Sequence, residues 1–200
     1  MYAVKVGGSL IDYAKYIMTE LKNYNALIIP GGGIFADAVR KIYKKFNLSE
    51  ASAHRMAIMA MEQYGMFLSD ISGVKTASSI NKIKTPCIFL PYRLKKDQFK
   101  PSWSVTSDTI ACCIARKVGA EKFILLKDVN GVYIGGRLVS KISAGELSRY
   151  GRTCVDEELP KYLSRYKMDC WIINGKKPDR IKKAMEGECK GTLILGKLRI

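Results

Sequence analysis

The 200-residue sequence lacks the long apolar run that a membrane-spanning helix requires. A helix needs about 20 predominantly apolar residues to cross a bilayer, and charged residues interrupt every apolar segment of this chain before that length is reached. The first strand-like segment, residues 2–6, begins without a preceding signal-peptide pattern. We therefore expect a cytoplasmic protein with no membrane partner.

Metal-binding and redox motifs are also missing. The six cysteines form no C-x-x-C pair, which argues against a zinc site or a thiol redox site. Cys112 and Cys113 lie in an apolar segment, where we expect them to pack as small hydrophobic side chains in a reducing cytosol. His54 is the only histidine, and its position in a Met-rich segment favours packing or an interface over catalysis.

Acidic residues are scarce, since 18 Asp and Glu accompany 34 Lys and Arg and leave a net charge of +16. The basic residues cluster at 41–45, 93–100 and 176–183. One interpretation is a nucleic-acid surface. However, the clusters are scattered, and none is interleaved with aromatic residues in a recognised binding module. We therefore favour a lysine-rich surface that attracts anionic substrates.

Short apolar runs alternate with segments of helical periodicity along the chain. Strands are predicted at residues 2–6, 26–29, 86–90, 123–126, 170–173 and 192–195, with a hairpin turn at 135–136. Helices are predicted at residues 11–22, 35–46, 52–70, 108–118, 144–150, 157–166 and 178–185. This alternation predicts an α/β fold with a largely parallel central sheet covered by helices on both faces. The length fits a single domain over residues 1–200.

Two glycine-rich turns, residues 7–9 and 31–33, each follow a predicted strand and lead into a predicted helix. Glycine allows backbone N–H groups to approach an anion closely, and a helix N-terminus adds partial positive charge. Neither turn matches the P-loop or the dinucleotide-binding pattern. Either turn alone could be a tight connection without a ligand, but the two together favour phosphate binding.

Charged residues accompany these turns. Lys5 immediately precedes the first turn. A lysine between two valines would ordinarily lie at a solvated edge, but beside a phosphate its charge could stabilise a transferring phosphoryl group. Asp108 begins the apolar helix that follows the polar segment 103–107. It is either a helix cap or a carboxylate that orients lysines around phosphates. The order of these motifs suggests phosphoryl transfer from a nucleotide.

Taken together, the motifs resemble those of the amino acid kinase superfamily, and the resemblance covers essentially the whole chain. It rests on residues 5–9, 31–33, 107–109, 127–133 and 187–192. The resemblance implies a three-layer αβα sandwich. It also implies that the acceptor binds over the N-terminal half and ATP over residues 105–200, with Mg²⁺ bridging the phosphates. A homodimer or a higher homo-oligomer is expected on the same basis.

The resemblance also implies roles for individual residues. The catalytic residues would be Lys5, Asp108 and Lys127. Contacts with ATP and its phosphates would come from Gly7, Gly8, Ser9, Lys127, Asp128, Gly131 and Tyr133. The acceptor would contact Gly31, Gly32, Gly33, Asp37, Trp103, Thr106, Ser107 and Asp156. Many relatives have a second catalytic lysine where this chain has residues 153–156, and Lys127 could supply the missing charge.

Departures from the family pattern indicate a branch. Isopentenyl phosphate kinases carry a histidine just after the glycine triplet, whereas residues 34–37 contain none. Aspartokinases carry regulatory domains that this short chain lacks, and uridylate kinases have a different first loop. The combination of residues 7–10, 30–33 and 101–111 is most similar to a compact archaeal branch associated with methanofuran biosynthesis. Members of that branch phosphorylate [5-(aminomethyl)furan-3-yl]methyl phosphate to its diphosphate.

The chemistry agrees with a phosphate acceptor. Such an acceptor is already anionic near neutral pH and needs positioning and positive charge rather than a general base. Its ammonium group could pair with Asp37 or Asp156, and Trp103 could stack on the furan ring. We therefore expect an ATP-dependent kinase acting on a small phosphomonoester. The alternatives are an isopentenyl phosphate or nucleoside monophosphate kinase, or a non-catalytic basic binding or regulatory protein on the same fold.

Overall fold

The computed structural model describes residues 1–94, 104–188 and 190–197. These ranges contain ten strands and seven α-helices. The strands are β1 (Tyr2–Val6), β2 (Ala26–Pro30), β3 (Thr76–Ala77), β4 (Cys87–Phe89), β5 (Lys122–Lys127), β6 (Val132–Ile134), β7 (Arg137–Val139), β8 (Lys141–Ser143), β9 (Cys170–Asn174) and β10 (Gly191–Leu195). The helices are α1 (Ala14–Leu21), α2 (Gly33–Phe46), α3 (Glu50–Ser72), α4 (Ser107–Lys117), α5 (Ala144–Leu147), α6 (Leu159–Tyr166) and α7 (Pro178–Glu186).

Eight of the strands form one sheet in the order β3-β4-β2-β1-β5-β9-β10-β8. All neighbours from β3 to β9 are parallel. Strand β10 runs antiparallel to β9, and β8 is parallel to β10. Strands β6 and β7 form a separate hairpin around the predicted glycine turn. The prediction of a largely parallel sheet is therefore confirmed.

Apolar layers cover both faces of this sheet. One face packs Ala3, Leu27 and Leu125 against the buried side of α4 and against α5 and α6. The other face packs Val4 and Ile28 against α1, α7 and part of α3. Buried parallel strands read as continuous apolar runs because both of their faces are covered. The predicted three-layer αβα sandwich is confirmed.

Strand β1 occupies the point where the chain changes direction across the sheet. Its neighbours are β2 on one side and β5 on the other, so that Val4 lies opposite both Ile28 and Ile124. The connections after β1 and β2 lead to strands on one side of β1, whereas the next strand after β4 is β5, on the other side of β1. Such a reversal of strand order opens a crevice at the carboxyl ends of the strands. The two glycine turns and Lys127 lie at this edge, because each of them ends or follows a strand.

Several boundaries differ from the predictions. A 3₁₀ segment, Gly8–Tyr13, precedes α1, which begins at Ala14 rather than at residue 11. The predicted helix 144–150 is divided into α5 and the 3₁₀ segment Ser148–Tyr150. The edge strands β3 and β8 were not predicted. Among the described helices, none is both long and apolar enough to cross a bilayer. Trp103 and residues 95–100 of the basic segment lie outside the described ranges.

Candidate active site

Three charges, two of them buried and the third partly buried, meet at the carboxyl edge of the sheet. Lys5 shares the face of Ala3 on β1, and Lys127 shares the face of Leu125 on β5, so both lysines lie on the side covered by α4. Asp108, in the first turn of α4, joins them. Its Oδ1 lies 2.9 Å from Lys5 Nζ, and its Oδ2 accepts a 2.6 Å hydrogen bond from Lys127 Nζ. Two ammonium groups thus share one carboxylate, which leaves the group with net positive charge.

The burial of these groups makes their pairing obligatory. Lys5 is 4% exposed and Asp108 is 3% exposed. Burial alone would raise the pKa of Asp108, but the two lysines outweigh it and hold that pKa well below its ordinary value. Burial also opposes the charged form of Lys127, yet Asp108 raises the pKa of this lysine above its ordinary value. For Lys5, burial predominates over Asp108 and lowers the pKa, and the charge of Lys127 adds to that effect. Asp108 is therefore ionised in the neutral range.

The two glycine turns pack directly against each other. The Gly31 N–H donates a 2.8 Å hydrogen bond to Val6 O, and the Gly7 N–H donates a 3.0 Å bond to Leu126 O. A Cβ atom built on Gly8 would overlap the backbone of Gly33, which itself has a positive φ of 52°. Side chains larger than hydrogen would push the turns apart. The close approach therefore requires glycine at Gly8 and Gly33.

Helix α2 begins at the second of these turns. The first N–H groups of a helix have no acceptor within the helix, and they carry partial positive charge. In α2 the first hydrogen bond of the helical pattern runs from the Ala36 N–H to Gly32 O, at 3.1 Å. The earlier N–H groups, including that of Gly33, are thus directed to the end of the helix, where an anion would meet them.

A central cleft of about 540 Å³ opens above these elements. It is bounded by both glycine turns, the first turn of α4, the end of β5 and the segment 152–156. The predicted site residues in its lining are Gly8, Ser9, Gly32, Gly33, Asp37, Thr106, Ser107, Asp108, Lys127, Asp128 and Asp156. Lys5 contacts this group through Asp108, whereas Gly7 and Gly31 shape the turns through their backbone hydrogen bonds.

A second cleft has a volume of about 440 Å³ and contains Gly131 and Tyr133. We call it the nucleotide cleft because these two residues were predicted to contact the nucleotide. Residues 152–154 line both this cleft and the central cleft, so the two adjoin. The turn at Gly131 is held by Thr192, whose Oγ1 accepts from the Val132 N–H at 2.8 Å. A Cβ atom on Gly131 would overlap that Thr192 oxygen. The strand β10 thereby fixes the shape of the nucleotide cleft.

The carboxylate of Asp156 is occupied by hydrogen bonds within the protein. Its Oδ2 accepts hydrogen bonds from Thr106 N at 2.9 Å, Thr106 Oγ1 at 2.8 Å and Thr109 N at 3.0 Å. Its Oδ1 accepts from Thr109 Oγ1 at 2.5 Å and Leu159 N at 2.8 Å. A carboxylate offers about four lone-pair positions, so these contacts occupy it. Asp156 ties the start of α4 to the start of α6, a role that the sequence analysis missed because 47 residues separate Asp156 from Thr109.

Sequence reasoning also missed other polar residues around the clefts. Arg152 lines both the central and the nucleotide clefts, and Arg40 lines the central one. Asn130 Oδ1 accepts from Asn174 Nδ2 at 2.9 Å and from Arg180 Nη1 at 3.0 Å, which links the loop after β5 to the end of β9. Arg152 stands next to the segment that lacks the family lysine, and this adjacency was the one available signal.

His54 lies outside the linings of the central and nucleotide clefts. His54 is 8% exposed and lines a small, largely apolar cavity between α2, α3 and α4.

Within the part of the chain that the structure describes, no cluster of three or more His, Cys, Asp or Glu side chains could hold a metal ion. The arrangement around the central cleft instead offers backbone N–H groups and ammonium groups, which suit the binding and transfer of phosphate.

Comparisons with known proteins agree with this geometry. The model of the Amino acid kinase family matches residues 88–174. The chain is 35% identical over 205 aligned residues to the [5-(aminomethyl)furan-3-yl]methyl phosphate kinase of Methanocaldococcus jannaschii, and the match covers 94% of each chain.

Solved structures share the fold. The uridylate kinase of Archaeoglobus fulgidus superposes with a TM-score of 0.76 at 22% identity, over 97% of this chain and 100% of that one. The UMP kinase of Bacillus anthracis gives a TM-score of 0.77 at 16% identity, over 98% of this chain and 96% of that one. At such identities the likeness concerns the fold alone.

Proposed function

Because the chain belongs to the amino acid kinase family and is a kinase of that family, we propose that it transfers the γ-phosphoryl group of ATP to a small phosphomonoester. The proposed acceptor is [5-(aminomethyl)furan-3-yl]methyl phosphate, which would become the diphosphate. The observation that carries the proposal is the buried Lys5–Asp108–Lys127 group directly beside two glycine turns. The named relative, with its match over 94% of each chain, supports the choice of acceptor.

The donor would occupy both clefts. The base and ribose of ATP fit the nucleotide cleft beside Gly131 and Tyr133, and its phosphates extend past residues 152–154 into the central cleft. There Gly8, Ser9 and the start of α2 offer N–H groups. Mg²⁺ would accompany ATP and offset the charge of its phosphates. It would be held mainly by these phosphates, since the described residues contain no cluster of three or more His, Cys, Asp or Glu side chains that could hold a metal ion.

Transfer needs only positioning and positive charge. An oxygen of the acceptor phosphate would form a bond to the γ-phosphorus while the bond from that phosphorus to the β–γ bridging oxygen breaks. The electron pair of the broken bond leaves with ADP, and a dianionic acceptor has no proton to lose. Lys5 and Lys127, held by Asp108, would stabilise the charge on the transferring group. The acceptor therefore requires no general base.

The acceptor's ammonium group would pair with a carboxylate of the cleft lining. Asp37 and Asp156 were the predicted partners, and both line the central cleft. The five hydrogen bonds to Asp156 favour Asp37, which is exposed and, among the described residues, pairs with Arg40 at 2.5 Å. A substrate ammonium could share Asp37 with that arginine. The N-terminal half would thus contribute Gly31, Gly32, Gly33 and Asp37 to the acceptor site. A cytoplasmic homo-oligomer remains our expectation for the assembly.

Product formation with a panel of acceptors tests the function. The panel contains the aminomethylfuran phosphate, its dephosphorylated alcohol, isopentenyl phosphate and UMP. We expect ATP-dependent diphosphate formation from the furan phosphate, detected by ³¹P NMR, and none from the alcohol. A Lys5→Ala variant is the negative control. Preferred turnover of isopentenyl phosphate or UMP would replace the acceptor, and no turnover of any acceptor would favour a non-catalytic role.

A further inference from the structure

A third cleft adjoins the central cleft on the side of α2. This outer cleft has a volume of about 250 Å³ and is lined by Arg40, Tyr43, Lys44, Thr106 and Arg152. Its described lining thus combines three cations, a phenol and a hydroxyl group, with no carboxylate among them. Arg40, Thr106 and Arg152 also line the central cleft. The outer cleft is therefore a cationic extension of the place where the phosphoryl group is transferred.

Apart from the Lys5–Asp108–Lys127 group, the lining of the central cleft has little positive charge to offer. Its lining includes four carboxylates, Asp37, Asp108, Asp128 and Asp156, and three cations, Arg40, Lys127 and Arg152. Lys127 is paired with Asp108, and Arg40 is paired with Asp37. ATP and a phosphomonoester together would bring several negative charges to this space. An additional cation at its edge would reduce their repulsion.

Arg152 is the residue best placed to do so. It lines the central, nucleotide and outer clefts. Among the residues that the structure describes, no ion pair or hydrogen bond holds its guanidinium group. It stands in the loop that connects the 3₁₀ segment Ser148–Tyr150 to α6, beside Gly151 with its φ of 62°. A guanidinium group can donate to two phosphate groups at once because its five N–H donors lie in one plane.

We propose that the outer cleft holds the phosphate of the acceptor, and that Arg152 contacts this phosphate and the donor phosphates together. The inference rests on the proposed function, because it assigns one of the two substrates of that reaction to a subsite. Arg40, Thr106 and Arg152 place the acceptor phosphate at the boundary of the central cleft, next to the γ-phosphoryl group. The charge of the outer cleft also sets the orientation of the acceptor. Its ammonium group is repelled by Lys44 and Arg152 and lies toward Asp37, whose charge also offsets that of Arg40.

Substitution of Arg152 tests the subsite. We expect Arg152→Gln to raise KM for the phosphorylated acceptor about tenfold to hundredfold, since hydrogen bonds to charged groups contribute about 1.5–3 kcal/mol. The same variant should raise KM for ATP, because Arg152 lines the nucleotide cleft. Arg40→Gln should raise KM for the acceptor alone. Arg149→Gln is the matched control, since Arg149 is an exposed arginine three positions earlier.

Two further measurements separate direct contact from a structural role. Guanidinium ion added to Arg152→Ala should restore part of the lost rate, and Arg152→Lys should retain more activity than Arg152→Gln. Thermal unfolding should be the same for these variants and the wild type. Acceptor KM values within twofold of the wild type in both Arg152→Gln and Arg40→Gln would overturn the proposal, as would an equal loss in Arg149→Gln.

Binding of inorganic phosphate distinguishes this proposal from the proposed function. Calorimetry is done with inorganic phosphate on protein saturated with a non-hydrolysable ATP analogue. If the wild type phosphorylates no acceptor, the proposed function fails. Weaker phosphate binding by Arg152→Gln than by Arg149→Gln would still support an anion subsite in the outer cleft, and equal binding by the two variants would refute it.

Discussion

Asp108 is the single residue on which the buried charges depend. It lies between the buried Lys5 and the partly buried Lys127, and removing one partner of a buried ion pair leaves an uncompensated charge. We expect Asp108→Asn to destabilise the protein by about 3–5 kcal/mol and to lower kcat by at least about a hundredfold. Urea unfolding and steady-state kinetics measure the two effects. Asp70→Asn, at an exposed position on α3, is the control and should change neither quantity.

The lowered pKa of Asp108 also predicts a dependence of stability on pH. A carboxyl group whose pKa is lower in the folded state than its ordinary 3.8 contributes stability above that value. The contribution is lost as the pH falls through the folded-state value, because the folded and unfolded chains then bind the proton equally. The free energy of unfolding of the wild type should therefore fall more steeply below about pH 4 than that of Asp108→Asn. Parallel curves for the two proteins, measured by denaturation between pH 2 and 7, would contradict this expectation.

Lys127 provides a test of charge at the end of β5. It is paired with Asp108 and lies where the central cleft begins. If it supplies the charge of the lysine that this chain lacks, Lys127→Thr should lower kcat at least tenfold, within the range expected for one electrostatic contact. Lys141→Thr, at an exposed strand position, is the matched control. An unchanged kcat in Lys127→Thr would assign the missing charge to another residue.

Sequence patterns located these residues along the chain but not their contacts. Lys5 could be predicted to lie near a phosphate because a glycine turn follows its strand. Asp108 could be predicted to lie near the same site because it begins a helix after a polar segment. That one carboxylate joins Lys5 to Lys127 depends on the register of β1 with β5, where Lys5 lies opposite Leu125. Register is set by tertiary packing, which no local pattern contains.

Among the elements, the two glycine turns form the most constrained contact. Gly8→Ala would place a methyl group in the backbone of Gly33, so the turns must separate. We expect a loss of about 1–3 kcal/mol in stability, as for other overpacked sites, and a larger loss in kcat/KM because both phosphate-binding turns move. Gly145→Ala is a matched control, since nothing lies within 4 Å of a Cβ atom there. If Gly8→Ala retained wild-type kcat/KM, the turns would not hold the substrates.

Asp156 connects α4 to α6, and we expect its substitution to change kcat and stability but not substrate binding. Asn at this position keeps one acceptor oxygen but turns the other atom into a donor that faces N–H and O–H donors. Asp156→Asn should lose about 2 kcal/mol of stability and lower kcat, because the start of α4 carries Asp108. If Asp156 binds no substrate directly, KM for the amine substrate stays unchanged while kcat falls. A KM increase without a fall in kcat would instead support its predicted contact with the ammonium group.

Continuous apolar runs marked the central strands of the sheet, whereas the edge strands had no recognisable pattern. Buried runs such as residues 26–29 and 123–126 were recognisable as parallel strands because both faces are apolar. β3 has two residues and β8 has three, too few to show alternation. The antiparallel direction of β10 also had no local signal. It follows from pairing with β9, where Thr192 lies opposite Ile172.

The net positive charge of the molecule is not explained by the strands, helices and clefts described above. The net charge of +16 exceeds what a cleft of a few phosphates requires, and the basic clusters at 41–45 and 176–183 lie on α2 and around α7. A uniform excess of one sign attracts oppositely charged ligands over a distance that salt shortens to about 8 Å at physiological ionic strength. ATP and a phosphomonoester are both such ligands.

Ionic strength should therefore change the encounter with substrates but not the chemical step. We expect kcat/KM for both substrates to fall as KCl is raised from about 20 to 500 mM, since screening removes the long-range attraction. At saturating substrates kcat should stay nearly constant, because the Lys5–Asp108–Lys127 contacts are buried and screened little. A parallel fall in kcat would show that salt disturbs the site itself. A steep loss of DNA binding over the same range, in a protein without turnover, would instead assign the charge to a nucleic-acid partner.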